Sequence, residues 1–234
     1  MDFAGYVVLI TGASKGIGLC LAKILSEYGA TVIGIYNNTI IKEALFDTYK
    51  CDISNEEEVK NLIKYVKEKH EKIDVVVNCA ALSLDNDIYD KTKEEFIKVL
   101  EVNLVGTFLI CKYASLEMEK GVIINLSSTD ASDTFNPISI DYAASKAGIE
   151  NVTKNLALRF PYLKICALAP NWVNTETVLN MDKEYLKNEL KRVGQDKLLK
   201  KEEVALKIIE IMINDDIRSG EIIRMDGFNE NIFW

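Results

Sequence analysis

The residues with the clearest capacity for chemistry lie in one stretch, SSTDASDTFNPISIDYAASKAGIE, from Ser127 to Glu150. Tyr142 and Lys146 are four residues apart, a spacing that puts two side chains on one helix face. A phenol exchanges protons near neutral pH only if something lowers its pKa from about 10. A cation a few Å away does so by favouring the phenolate. Upstream, Ser127, Ser128 and Thr129 offer hydroxyls able to hold a reacting oxygen and stabilise charge developing on it. Each feature also has a plain reading: Tyr-x-x-x-Lys occurs on many helix surfaces, and serines after a strand are common in turns. The single histidine, His70 in EKHEK, ends a charged helical run, so neither histidine acid/base chemistry nor a metal site is expected.

A second candidate lies near the N-terminus. VLITGASKGIGLCLAKIL reads as strand, turn, helix, with Gly12, Gly16 and Gly18 in the turn. The spacing is not G-x-G-x-x-G, nor a P-loop, whose lysine directly follows the last glycine. The physics is shared: Gly12 permits a tight turn, while Gly16 and Gly18 remove Cβ atoms where a pyrophosphate meets a helix N-terminus and where helix packs on strand.

The elements that must position these residues alternate along the chain. Apolar runs at 6–11, 31–36, 74–79, 121–127, 163–169 and 221–226 read as buried strands, with a weaker one at 48–52. Helical patterns fill 16–28, 55–70, 92–118 (broken near 101–103), 142–159, 182–193 and 202–214. Strands apolar throughout and separated by helices predict a parallel sheet covered on both faces. The expected fold is α/β: a single doubly wound Rossmann domain over 1–234, with about seven strands. The charged segment 175–200 follows a strand's C-terminal end, where such folds bind ligands, and is expected to form a substrate lid.

Among the 234 residues, 48% are hydrophobic and the net charge is −8. That balance argues against nucleic-acid or anionic-membrane partners. The N-terminus reads as lacking a signal peptide, and no apolar segment is expected to span a bilayer. Five scattered cysteines without a C-x-x-C pair predict reduced thiols and a cytoplasmic setting.

Motifs in a fixed order make the chain resemble the short-chain dehydrogenase/reductase family. They are Thr11-Gly-x-x-x-Gly16-x-Gly18, Asp52 in CDIS, NCAA at 78–81, Asn103 in EVNLVGTF, INLSS at 124–128, Tyr142-x-x-x-Lys146, APNWVNT at 169–175 and SGEIIRMDGF at 219–228. The resemblance spans essentially the whole chain. It implies a nicotinamide cofactor and a small-molecule carbonyl or secondary alcohol as substrate. It makes Tyr142 the acid/base, Lys146 the group that lowers its pKa and holds the cofactor ribose, Ser128 the donor to the substrate oxygen, and Asn103 part of a proton relay through water. Family members place the serine thirteen residues before the tyrosine; Ser128 is fourteen before and Thr129 thirteen, so both hydroxyls stay open. Implied cofactor contacts are Thr11, Gly12, Ser14, Lys15, Gly16, Ile17, Gly18, Asn37, Asp52, Ile53, Asn78, Ala80, Tyr142, Lys146, Pro170, Val173 and Thr175. A homotetramer, or a dimer, built on helices 104–118 and 142–159 is also implied.

The second strand ends in IYNNT, with no acidic residue to repel a 2′-phosphate, and Lys15 is available to pair with one. NADP(H) is therefore favoured over NAD(H). The chain departs from the family at Cys79 and Ala81, at Asn171 in place of a glycine, and at Phe228, before an apolar tail, NENIFW, expected at a subunit interface. A reductase acting on a carrier-protein thioester is one option, weakened by the acidic surface and by Arg159 and Lys164 being the only obvious basic docking candidates. A sugar, polyol or other small alcohol is equally open. Trp172, Val178, Leu179, Met181 and Tyr185 point to a partly apolar pocket. The reading from a different class is a nucleotide-binding regulator that keeps the fold without turnover.

Overall fold

The structure, a computed structural model, describes residues 1–41 and 44–226. Its chain order is β1 (Val7–Thr11), α1 (Gly16–Glu27), β2 (Thr31–Tyr36), β3 (Asp47–Lys50), α2 (Glu56–His70), β4 (Val75–Asn78), α3 (Lys93–Leu100), a π-helical turn (Glu101–Val105), α4 (Gly106–Glu117), β5 (Gly121–Leu126), α5 (Ile140–Arg159), β6 (Leu163–Pro170), α6 (Glu176–Leu179), α7 (Lys183–Arg192), α8 (Lys201–Ile213) and β7 (Ile222–Met225). All seven strands pair in parallel, in the order β3-β2-β1-β4-β5-β6-β7. The doubly wound α/β expectation holds, and the strand order reverses between β1 and β4.

Valine and isoleucine fill the central strands because both faces are buried. Val8, Ile10 and Val32 pack under α1 and α8 with Leu21, Leu25, Val204 and Ile208. Leu9, Ile33 and Ile35 face the other way and meet Val59, Leu62 and Val66 of α2 and Ile110 of α4. This alternation is the two-residue period of a strand. A fully buried leucine or isoleucine of this kind contributes roughly 1.5–3 kcal/mol.

Several boundaries differ from expectation. The strand placed at 48–52 runs instead over Asp47–Lys50, at the sheet edge, where only alternate residues are part-buried. The break placed near 101–103 is a π-turn through which the helix continues. Residues 93–117 are consequently long and apolar enough to cross a membrane by length and composition, which corrects the expectation that no segment would be. Val99, Leu109, Ile110, Cys111 and Ala114 lie in the protein core, and that burial accounts for the composition. The segment 175–200 holds α6 as well as α7. Asn171 is absent from the residues with positive φ, so the glycine usual there is not required by the backbone. Phe228 and NENIFW lie outside the described residues.

Candidate active site

The glycine turn is tied to β4 by Thr11, whose Oγ1 accepts hydrogen bonds from the Cys79 and Ala80 N–H groups, both at 3.1 Å. Gly12, at φ +67°, lies so close that a Cβ there would stand 2.8 Å from the Ala80 backbone. A Cβ on Gly18 would meet the Gly12 carbonyl at 2.5 Å. Small residues are thus forced on the turn by packing. At the N-terminus of α1, the Gly16 N–H donates to Glu176 Oε2 at 3.0 Å, and Lys201 holds the other oxygen of that carboxylate at 2.8 Å. The hydrogen bond from Lys201 is the main reason the Glu176 carboxyl lies below its usual range. Lys15 Nζ sits 3.4 Å from Thr177 Oγ1.

Above the C-terminal ends of β5 and β6, α5 begins at Ile140 and presents Tyr142 and Lys146. The Lys146 ammonium lies 5.3 Å from the centre of the Tyr142 ring and donates to the Leu126 carbonyl at 2.6 Å. Burial pushes it down to about 8. The phenol moves the other way: burial first, then the carboxylates of Asp130 and Asp85, raise it well above its ordinary value, while a hydrogen bond with Ser128 pulls it back. Burial dominates the phenol, so the lowering expected from Lys146 is not seen while its ammonium faces the ring and the Leu126 carbonyl. Of the two open hydroxyls, Ser128 reaches Tyr142 and lines the cavity, whereas Thr129 is buried with its Oγ1 3.3 Å from Thr134 Oγ1.

Asn103 sits inside the π-turn, fully buried. Its Oδ1 accepts from the Leu82 N–H at 2.7 Å, and its Nδ2 donates to the Leu82 carbonyl at 2.9 Å and to Ser145 Oγ at 3.1 Å. Ser145 in turn donates to the Tyr142 carbonyl at 2.6 Å. The buried pair Lys91–Asp141, at 2.9 Å, joins the loop after β4 to α5, and Asp141 also accepts the Tyr142 N–H.

These elements enclose a cavity of about 990 Å³. Most sequence-predicted residues line it: Gly12, Ser14, Lys15, Gly16, Ile17 and Gly18 at the turn; Asn37 after β2; Asp52 and Ile53 after β3; Ala80, Ser128, Tyr142, Lys146, Pro170, Val173 and Thr175 elsewhere. Although burial opposes it, hydrogen bonds from Ser54 and Asn37 keep the Asp52 carboxyl below its ordinary value. Thr11, Asn78 and Asn103 are not brought to the cavity surface. Asn78 is buried, donating to Asn125 Oδ1 at 2.9 Å. Trp172, Val178 and Met181 line the cavity, Leu179 is exposed, and the Tyr185 hydroxyl accepts from Asn136 at 3.3 Å. Sequence reading missed Asp85, Asp130 and Glu176. The only available signal was adjacency: Asp130 follows the hydroxyl run and Glu176 follows Thr175.

A dinucleotide fits these residues. The glycine turn leaves backbone N–H groups at a helix N-terminus, the place such folds hold a pyrophosphate. The reversal of strand order puts the cavity where these sheets bind ligands. Such a sheet, with its cavity at the switch in strand order, is the architecture of a dinucleotide-binding protein, and Tyr142 and Lys146 line that cavity. Comparison with known proteins carries this further. The short chain dehydrogenase family model matches residues 6–186. The 3-oxoacyl-[acyl-carrier-protein] reductase FabG of Thermotoga maritima is 30% identical over 97% of this chain and 98% of its own. FabG of Vibrio cholerae is 30% identical over 88% of each. Among solved structures, Thermoplasma acidophilum aldohexose dehydrogenase superposes with a TM-score of 0.87, at 26% identity, covering 99% of this chain and 98% of its own. The chain belongs to the short-chain dehydrogenase family and is an NAD(P)-dependent oxidoreductase acting on a small molecule. Nothing in these comparisons favours the silent-regulator alternative.

Proposed function

We propose that the chain interconverts a carbonyl and a secondary alcohol with NADP(H) in preference to NAD(H), using Tyr142 as acid/base. The carrying observation is that Ser128, Tyr142 and Lys146 line the same cavity as the glycine turn, with the Lys146 ammonium 5.3 Å from the centre of the Tyr142 ring. When bound, the nicotinamide supplies the hydride. Ser128 holds the substrate oxygen and Tyr142 delivers or removes its proton. Lys146 offers the ribose its ammonium, and Asn103 fixes the backbone around the proton path. Gly12, Ser14, Gly16 and Ile17 cradle the phosphates; Asp52, Ile53 and Ala80 bound the adenosine; Pro170, Val173 and Thr175 bound the nicotinamide. Thr11 and Asn78 act from beneath, by fixing the ends of β1 and β4.

NADP(H) is preferred because Lys15, Asn37 and Asn38 line the cavity, no acidic residue ends β2, and the Asp52 carboxylate beyond β3 is engaged by Asn37 and Ser54. The relatives' printed names support either a 3-oxoacyl thioester or a hexose as substrate. The chain is read as one cytoplasmic domain that assembles through α4 and α5, where Phe108, Leu116 and Leu158 are exposed; sedimentation of a monomer contradicts that assembly. Tyr142→Phe tests the central reading. Turnover of a carbonyl panel should fall by roughly 10²–10⁴-fold with dinucleotide affinity retained, and undiminished turnover sinks it.

A further inference from the structure

Around Tyr142 the cavity carries two carboxylates that no role above uses. Asp130 follows Thr129; its N–H donates to Ser128 Oγ at 3.2 Å, and its Oδ1 accepts from Thr134 Oγ1 at 2.5 Å. Asp85 comes from the opposite wall, the loop after β4, and its Oδ1 accepts from Ser83 Oγ at 2.6 Å and Ser139 Oγ at 2.7 Å. Among the described residues, every hydrogen bond these carboxylates accept falls on Oδ1, which leaves each Oδ2 able to accept another. Both line the cavity, and both are near enough to Tyr142 for their charge to act on its hydroxyl.

Lys146, Lys91 and Arg192 each already donate to protein oxygens. Lys146 donates to the Leu126 carbonyl. Lys91 is buried against Asp141. Arg192 forks onto Glu189 through Nε and Nη2, and its Nη1 donates to the carbonyls of Thr134 and Phe135. It lines a separate hollow with Asp133, Arg224 and Asp226. Asn136 and Ser139 contribute only neutral polar groups to this part of the cavity, and Trp172 and Met181 add ring and thioether surface. A negative substrate group entering here meets two like charges in a partly desolvated space where repulsion is strong; the other lysines that line the cavity among the described residues, Lys15 and Lys98, sit at the glycine turn and in α3. A hydroxyl, by contrast, gains a charge-assisted hydrogen bond to a carboxylate oxygen.

Resting on the reading of Tyr142 as acid/base, we propose that Asp85 and Asp130 are specificity-determining residues that select uncharged, hydroxyl-bearing carbonyl compounds and alcohols and reject anionic ones. Burial raises the Asp130 carboxyl, with Thr134 and Arg192 opposing and Glu189 and Asp85 reinforcing. Acidification therefore neutralises Asp130 early and relaxes the selection.

The test uses matched pairs differing in one charge: ethyl acetoacetate against acetoacetate in reduction, and a hexose against its hexuronate in oxidation, with both cofactors. Wild type should favour the neutral member in kcat/KM by at least roughly tenfold. Asp130→Asn and Asp85→Asn should each shrink that ratio by raising the anionic member. The two substitutions lie on different loops, and the wild-type ratio should also narrow as pH falls, so the outcome does not hang on one variant folding. An anionic preference in wild type, or a ratio unmoved by both variants and by pH, overturns the proposal alone. Absence of turnover with every pair overturns the reading of the Tyr142 site, and this proposal with it.

Discussion

Asn103 satisfies both backbone groups of Leu82 at once, accepting from its N–H at 2.7 Å and donating to its carbonyl at 2.9 Å. The π-turn is what points the amide there: one extra residue in the helical repeat re-aims a side chain that a regular helix would send elsewhere. The loop after β4, which carries Ala81 and Asp85, is thereby fixed to the helix that packs on α5. Asn103→Ala leaves two part-buried backbone groups unpaired and should cost about 2–4 kcal/mol in denaturant unfolding. Asn103→Asp keeps the acceptor and loses the donor, so it should fall between. Equal stability of all three proteins would show that the contact carries no weight.

Lys146 gives stability a defined pH dependence. Its folded value, about 8, lies below the ordinary 10.5. Between those values the unfolded chain binds more protons than the folded one, so stability rises with pH across that window. Tyr142 acts oppositely: the folded phenol keeps its proton past 10, so its contribution falls as pH climbs beyond that value. Urea unfolding of wild type should therefore show a rise between about pH 8 and 10, worth up to roughly 3 kcal/mol if fully expressed. Lys146→Met should lack the rise; an unchanged slope in that variant assigns the effect to another group.

The two candidate hydroxyls separate by what each variant loses. Ser128→Ala removes the group that reaches Tyr142 and should lower kcat by about 10²–10³-fold. Thr129→Val removes a buried contact with Thr134 and should cost about 1 kcal/mol of stability while leaving kcat near wild type. The reverse pattern, with Thr129→Val the inactive protein, would move the substrate oxygen to Thr129.

Glu176 competes for a group that dinucleotide phosphates use. Its carboxylate holds the Gly16 N–H at the start of α1, anchored by Lys201. Glu176→Gln keeps an acceptor but removes the charge, and should tighten dinucleotide binding by roughly 2–5-fold, the size of a helix-terminus charge effect. The gain should shrink as salt is added. Titration calorimetry at two salt concentrations reads both, and weaker binding by the variant would mean that Glu176 supports the phosphate site.

What could be read from the sequence was what repeats or is unusual. Strand cores showed as valine and isoleucine runs because burial on both faces demands them. The edge strand β3 was misplaced because its half-buried alternation is weak. The glycine turn and the Tyr142–Lys146 pair stand out because few other residues suit those positions. Asn103 was visible as a residue, but a π-turn has no composition of its own and registered only as a break. Thr11 and Asn78 were legible as motif members, yet their place beneath the cavity depends on the β1–β4 register. Asp85, Asp130 and Glu176 sit in loops, where neighbours are set by distant segments: Glu176 meets Gly16 across 160 residues of chain.

The reversal of strand order that opens the cavity also has a meaning in time. During synthesis β1, β2 and β3 emerge in the order in which they lie, and β1–α1–β2 can form from local contacts. Val8 pairs with Val32 on one side, but on the other it waits for Val75. Until then Val7–Thr11, five consecutive buried positions in the finished protein, is an open apolar edge of the kind that recruits other chains. Closing that gap spans a long stretch of chain and is entropically the costly step of assembly. Afterwards β5, β6 and β7 each add to the growing edge in order. A ribosome paused before Asn78 has emerged would therefore hold the chain at its most aggregation-prone, and the arrival of β4 both protects the nascent sheet and creates the crevice in which the reaction takes place.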